Sequence, residues 1–211
     1  MKRSILLLFV VMFAVSAQAG VSLTTTGNSD GMSRYYRTAG WSPYTSYSEG
    51  NITDTVLNGQ KDQSYPDYWA YVPVLEFNMS DYNGTAAEIT AATLNVYMPT
   101  AGSGTIGVKY AGEADGVIDY DSRSGTKIAE FNAATTVGWY TLDVTDQIKE
   151  AVENSYGWVG FVIDPDSYGD QVNVAAYESG NGASIMVVPE PATMLLLGIG
   201  GLATVRRKKA V

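Results

Sequence analysis

The chain has 211 residues, enough for one domain of ordinary size, with 13 basic against 22 acidic side chains and neither cysteine nor histidine. The missing residue types exclude a disulfide scaffold, a Cys/His zinc site, a cysteine nucleophile and a Ser-His-Asp triad. Setting aside Lys2, Arg3, Arg206, Arg207, Lys208 and Lys209 leaves 7 basic residues, and setting aside Glu190 leaves 21 acidic ones. A body this acidic argues against nucleic acid as a partner, because phosphate recognition needs clustered cations.

In chain order, Lys2 and Arg3 precede an unbroken apolar run at 5–15, ILLLFVVMFAV, and Ala17-Gln18-Ala19 offers an A-x-A cleavage site before Gly20. This is the layout of a secretory signal peptide over residues 1–19, which places the body in an exported context. Residues 20–188 then read as one domain. Its first part, 27–69, is loop-like and crowded with aromatics. After it come short segments rich in β-branched and aromatic residues, separated by Gly, Asn, Asp and Ser: 71–77, 93–98, 105–110, 139–144, 158–163, 171–177 and 183–188. That spacing predicts an all-β sandwich or barrel. Alternation puts Leu94, Val96 and Met98 on one face and Thr93, Asn95 and Tyr97 on the other. Pro73 lacks an N–H for the ladder, so its strand is expected at an edge or at a bulge. Trp139 and Trp158 sit in strand patterns and are core candidates. A single helix is expected over 144–154, capped by Thr145 or Asp146, with Ile148 and Val152 on its apolar face.

Two carboxylate clusters invite a structural Ca²⁺, which takes six to eight oxygen ligands. One holds Asp115, Asp119 and Asp121 around Gly116; the other holds Asp164, Asp166 and Asp170. The same residue types also build ordinary turns. No other cofactor is expected. Aromatic residues cluster at Trp41 and Tyr44 and again at Tyr68 and Trp69. Flat rings with a polar edge stack on sugar rings while neighbouring Asn, Asp and Arg bind hydroxyls, and the same rings equally serve to pin loops onto a sandwich. Glycoside hydrolysis needs two carboxyls at a defined separation. Nothing in the spacing singles out such a pair among 21 acids, so the reading is non-catalytic.

The end of the chain differs from the body. Pro189, Glu190 and Pro191 stop the domain, the 14 residues of 192–205 carry no charge, and Arg206, Arg207, Lys208 and Lys209 follow. As a transmembrane helix the apolar run reaches only about 21 Å, short of a hydrocarbon core of roughly 30 Å. Its basic end belongs on the cytoplasmic side, which leaves the acidic body outside. The string V-P-E-P at 188–191, the short apolar segment and the arginine-rich end closely resemble the PEP-CTERM sorting signal, here 189–211. That resemblance implies a Gram-negative-type envelope, transient anchoring in the inner membrane, recognition by an exosortase (a membrane cysteine protease) after the secretion machinery, and removal of the tail near Pro-Glu-Pro. It also implies the cell surface or extracellular matrix as the destination.

Within the body, I-T-x-A-x-L-x-V-Y at 89–97, W-x-x-L-D-V-T-D-x-I at 139–148 and the glycine-then-apolar segment after the helix resemble, in this order, the DNRLRE-type domain. That is a jelly-roll β-sandwich of exported bacterial proteins related to carbohydrate-binding modules. The resemblance covers roughly residues 50–188 and implies a jelly roll with glycan affinity and no catalytic centre. The expectation is an exported protein that binds or organises exopolysaccharide. A structural or adhesive matrix protein without a specific glycan site, and a polysaccharide-degrading enzyme, are the alternatives.

Overall fold

The computed structural model describes residues 20–26, 30–37, 45–50, 56–64, 67–118 and 121–190, with the backbone alone for 34–37, 45–50, 63–64, 67–69 and 121. The strands among them are β1 (Val21–Thr24), β2 (Asp30–Arg37), β3 (Thr45–Gly50), β4 (Val56–Ser64), β5 (Asp67–Asn78), β6 (Ile89–Met98), β7 (Thr105–Ala114), β8 (Thr126–Asn132), β9 (Gly138–Asp143), β10 (Trp158–Pro165), β11 (Gln171–Ala175) and β12 (Ser184–Pro189). One helix, α1 (Thr145–Glu153), joins β9 to β10. The fold is a jelly-roll β-sandwich. Its four-stranded sheet has the order β1-β12-β6-β9, and its eight-stranded sheet the order β11-β4-β5-β10-β7-β8 with the hairpin β2-β3 also paired to β5. Every one of these pairings is antiparallel.

The core lies between the sheets. Leu94, Val96 and Met98 of β6 face it as alternation predicts, with Ile185 and Val187 of β12 and Leu23 of β1 beside them. Opposite are Leu75 and Phe77 of β5, Ile106 and Val108 of β7, and Phe161 and Ile163 of β10. Phe77 and Phe161 meet edge to face at 6.1 Å between ring centroids, a geometry the ring quadrupoles favour. With no disulfide available, this burial carries the stability of the domain.

Helix α1 packs across one end of the sandwich, touching β6 of one sheet and β7 and β10 of the other. Ile148 and Ala151 are its buried residues and Val152 is partly buried. Its N-cap position is Val144, not Thr145 or Asp146. The capping acceptor comes one residue earlier: Asp143 Oδ1 accepts from the Thr145 N–H at 2.9 Å and from the Thr145 hydroxyl at 2.6 Å. These bonds hold the Asp143 carboxyl below its usual range.

Three expectations need correction. Residues 27–69 are not one long loop, since β2, β3 and β4 lie within them. They pair through the backbone with one another and with β5, so the ladder rather than apolar alternation makes them strands. Pro73 is at neither an edge nor a bulge. One edge of β5 pairs with β4 over 67–71 and with β10 over 74–78, while β2 takes the other edge over 68–75. Pro73 therefore falls in a two-residue gap between β4 and β10, where no N–H is required. Trp139 is not in the core: it is 53% exposed on the edge strand β9, and Trp158 is half-buried over a turn.

Candidate functional site

The outer face of the eight-stranded sheet carries a second, smaller apolar cluster. Ala70 and Val72 of β5 and Val162 of β10 are buried there with Ala111 of β7 against them. These residues alternate with the core-facing Leu75, Phe77, Phe161, Val108 and Tyr110, so the strands present one row inward and one row outward. The outward row forms the floor of a groove. Its wall is the short 3-10 turn Asp121–Arg123 with residues 124–125. Gly125 lets that wall press on β7, because a Cβ there would stand 2.5 Å from the Tyr110 carbonyl oxygen.

One end of the groove is a cavity of about 420 Å³ lined by Lys61, Lys109, Arg123, Ser124 and Asp164 above Ala70 and Val72. Asp164 is buried, and its two carboxylate oxygens meet Lys61 Nζ at 2.7 Å and Lys109 Nζ at 2.5 Å. One carboxylate thus holds two ammoniums from strands on either side of β10 at a fixed spacing, and both lysines stay about a quarter exposed. The other end is a cavity of about 360 Å³ that shares Ser124 and is lined by Glu76, Glu113, Asp115 and Ser122. Glu76 is 2% exposed and its Oε2 accepts from the Gly116 N–H at 2.8 Å. Gly116 has φ +82°, and the Trp158 ring lies 2.7 Å from where its Cβ would be, so glycine is required there. The groove is two-ended: cations over an apolar floor, then carboxylates.

The sequence-derived site residues fall as follows. Tyr68 and Trp69 are on β5, and Tyr68 occupies the strand position in line with Ala70 and Val72 of the groove floor. Trp41 and Tyr44 lie outside the described residues. In the first acidic cluster, Asp115 Oδ1 accepts from the Val117 N–H at 2.9 Å, Asp121 opens the wall's 3-10 turn, and Asp119 is outside the described residues. The second cluster diverges to separate partners: Asp164 to Lys61 and Lys109, Asp166 to Lys127 at 2.7 Å, and Asp170 to the Ser167 and Thr105 N–H groups at 2.9 and 3.3 Å. Among the described residues no three acidic side chains converge as metal ligands would.

Sequence reasoning missed Lys61, Lys109 and Arg123, which β4, β7 and the wall turn supply. It also put Trp139 in the core, whereas the ring lies on the surface. Ring centroids of Trp139 and its cross-strand partner Tyr97 are 5.3 Å apart on the outer face of the four-stranded sheet, with Asn95 opposite Thr141 in the next outward row. The alternation of Trp139 and Thr141 with the inward Tyr140 and Leu142 was the available signal.

At the end of the domain, Pro189 is the last residue of β12 and Glu190 follows it; Pro191, Arg206 and Arg207 lie outside the described residues. Among the described residues no helix is long and apolar enough to cross a membrane, and the runs at 5–15 and 192–205 fall outside them.

The fold is a curled two-sheet sandwich with a polar groove along one sheet. The model of carbohydrate-binding module family 96 matches residues 53–189, and the chain belongs to that family. A PEP-CTERM protein-sorting motif matches residues 187–209. No curated protein matches the chain. Together the module and the sorting motif support an exported, sorted, glycan-binding surface protein.

Proposed function

We propose that this protein binds exopolysaccharide along the groove of the eight-stranded sheet and organises it at the cell surface, without catalysing a reaction on it. The observation that carries the reading is the Lys61–Asp164–Lys109 clamp with Arg123 above an apolar floor. The ammonium groups of Lys61 and Lys109, each still about a quarter exposed, favour acidic groups on the sugar chain, and the floor accepts the apolar face of a ring. Glu113 and Asp115 at the other end supply acceptors for hydroxyls. In a body that is acidic elsewhere, a local cationic lining is a feature with a direction: it draws in a polyanion that the rest of the surface repels.

Affinity electrophoresis against acidic and neutral polysaccharides tests this. Retardation by an acidic polysaccharide, weakened at least tenfold in Lys109→Met and in Arg123→Gln and weakened by added salt, is the expected result. Equal retardation of both variants and the wild type removes the groove as the site. Release of reducing ends or unsaturated sugars from any matrix polysaccharide would instead make the protein an enzyme.

A further inference from the structure

We propose a second glycan site on the outer face of the four-stranded sheet, where Trp139 and Tyr97 stack on a sugar ring of a neutral polysaccharide and Asn95 and Thr141 bind its hydroxyls. The site lies on the sheet opposite the groove and takes a different class of chain, so it stands or falls apart from the groove reading.

Strand register builds this face. Trp139 on β9 is opposite Tyr97 on β6, with ring centroids 5.3 Å apart and ring planes at 59°. The next outward row sets Thr141 opposite Asn95 and Asn95 opposite Ser184, and the row after it sets Asp143 opposite Thr93. Between Trp139 and Thr141, Tyr140 points the other way and meets Phe131 of the second sheet at 4.5 Å. Outward rows follow one another at about 7 Å along a strand, so a sugar on Trp139 has the amide and hydroxyl of the next row beside it. Trp139 is 53% exposed and Thr141 is exposed, while Asn95 and Tyr97 are partly so. Asn95 Nδ2 spends one proton on the Thr93 carbonyl at 3.3 Å, which leaves its other proton and Oδ1 for a ligand.

A lone exposed ring is ordinary. Here two rings are held together at the end of a row of amide and hydroxyl groups, the composition of a small-ligand site. Tyr97 props Trp139, so little side-chain freedom is lost when a ligand stacks on it. The C–H groups on the face of a pyranose carry partial positive charge and meet the negative face of the indole. Charge selects the class of chain. These rows hold no Lys or Arg, and their single carboxylate, Asp143, already accepts from Thr145 through Oδ1. An acidic polysaccharide therefore finds no counter-charge on this face, in a body that repels it, whereas a neutral chain needs none. The lysine-lined groove offers the opposite selection.

Native affinity electrophoresis of the full chain in a non-ionic detergent, in gels holding hydroxyethyl cellulose, galactomannan or dextran, gives the test. Retardation by at least one of these neutral polymers is expected, unchanged by added salt and weakened about tenfold or more in Trp139→Ala. Thr141→Lys keeps the core and puts a bulky cation beside the indole, and it should weaken retardation as well. Circular dichroism of both variants checks that the sandwich is intact. Absence of retardation by all three polymers overturns the inference, and so does retardation that Trp139→Ala leaves unchanged. Retardation by a neutral polymer that disappears with salt moves the binding to the charged groove and overturns it too. An acidic polysaccharide reports on the groove separately: its failure to retard the chain, with Trp139-dependent neutral binding present, removes the groove reading and supports this one.

Discussion

Asp30 provides the sharpest quantitative test of the fold. It opens β2 and is 1% exposed, and its Oδ2 accepts from the Tyr177 N–H at 2.6 Å. Burial raises its pKa from 3.8 to about 6; the Glu178 charge adds to the rise, and the Tyr177 N–H and the Thr25 hydroxyl oppose it. A carboxyl with a raised pKa favours the fold in its neutral form. That advantage is present in full below the unfolded value near 4, falls as pH rises, and is gone above about 6. A gap of roughly two units corresponds to about 3 kcal/mol, and about half of it falls between pH 5 and 7.5. Asp30→Asn keeps an acceptor for Tyr177 and removes the titration. Paired thermal melts should therefore show the variant gaining on the wild type by about 3–6 °C between pH 5 and pH 7.5. Other groups titrate in both proteins and cancel in the difference. A difference in Tm that stays constant across this range would refute the argument.

Four further outcomes follow from the geometry. Gly116→Ala places a Cβ against Trp158 at positive φ and should cost about 2 kcal/mol in urea unfolding, with a shift in tryptophan emission. Trp139→Ala should cost under about 1 kcal/mol, against roughly 3–5 for Phe161→Ala in the core; equal losses would contradict the exposure of Trp139. Asp164→Ala leaves Lys61 and Lys109 facing each other and should destabilise by about 2–3 kcal/mol, less at high salt. Asp143→Ala removes the cap acceptor of α1 and should cost about 1 kcal/mol at neutral pH. Because the Asp143 pKa is lowered, its contribution is present above the unfolded value and is lost as pH falls through the folded one, so the two proteins should converge in acid melts.

Legibility in the sequence followed the physical signal at each position. β6 was readable because Leu94, Val96 and Met98 face one core and Thr93, Asn95 and Tyr97 face water, an alternation imposed by the pleat. α1 was readable from a short 3.6-residue period, but its cap was not, because Asp143 acts from the preceding strand. β2 to β4 were hidden: polar, turn-rich residues such as those of 56–64 become strand only when β5 and β11 supply backbone partners. The groove was hidden for the same reason. Lys61 and Lys109 are far apart in the chain, and only the placement of β4 and β7 brings both to Asp164. The residues that line the groove are gathered by strand register rather than by closeness in sequence.

The pairing of β1 with β12 sets how the module is displayed. Gly20 and Glu190 leave from neighbouring strands beside Ile89, at one pole of the sandwich. Trp139 and Tyr97 lie at the other pole, near Met98, and the cationic end of the groove lies toward it too, since Asp164 is next to last in a β10 that starts beside Asn78. Whatever holds the chain by either end therefore presents the Trp139–Tyr97 pair and the cationic end of the groove outward, like a bristle held by its root. The polarity belongs to the attachment rather than to the sandwich. Joining Gly20 to Glu190 through a short linker and opening the exposed turn at 134–137 would keep every ladder and turn the same surfaces back toward the support.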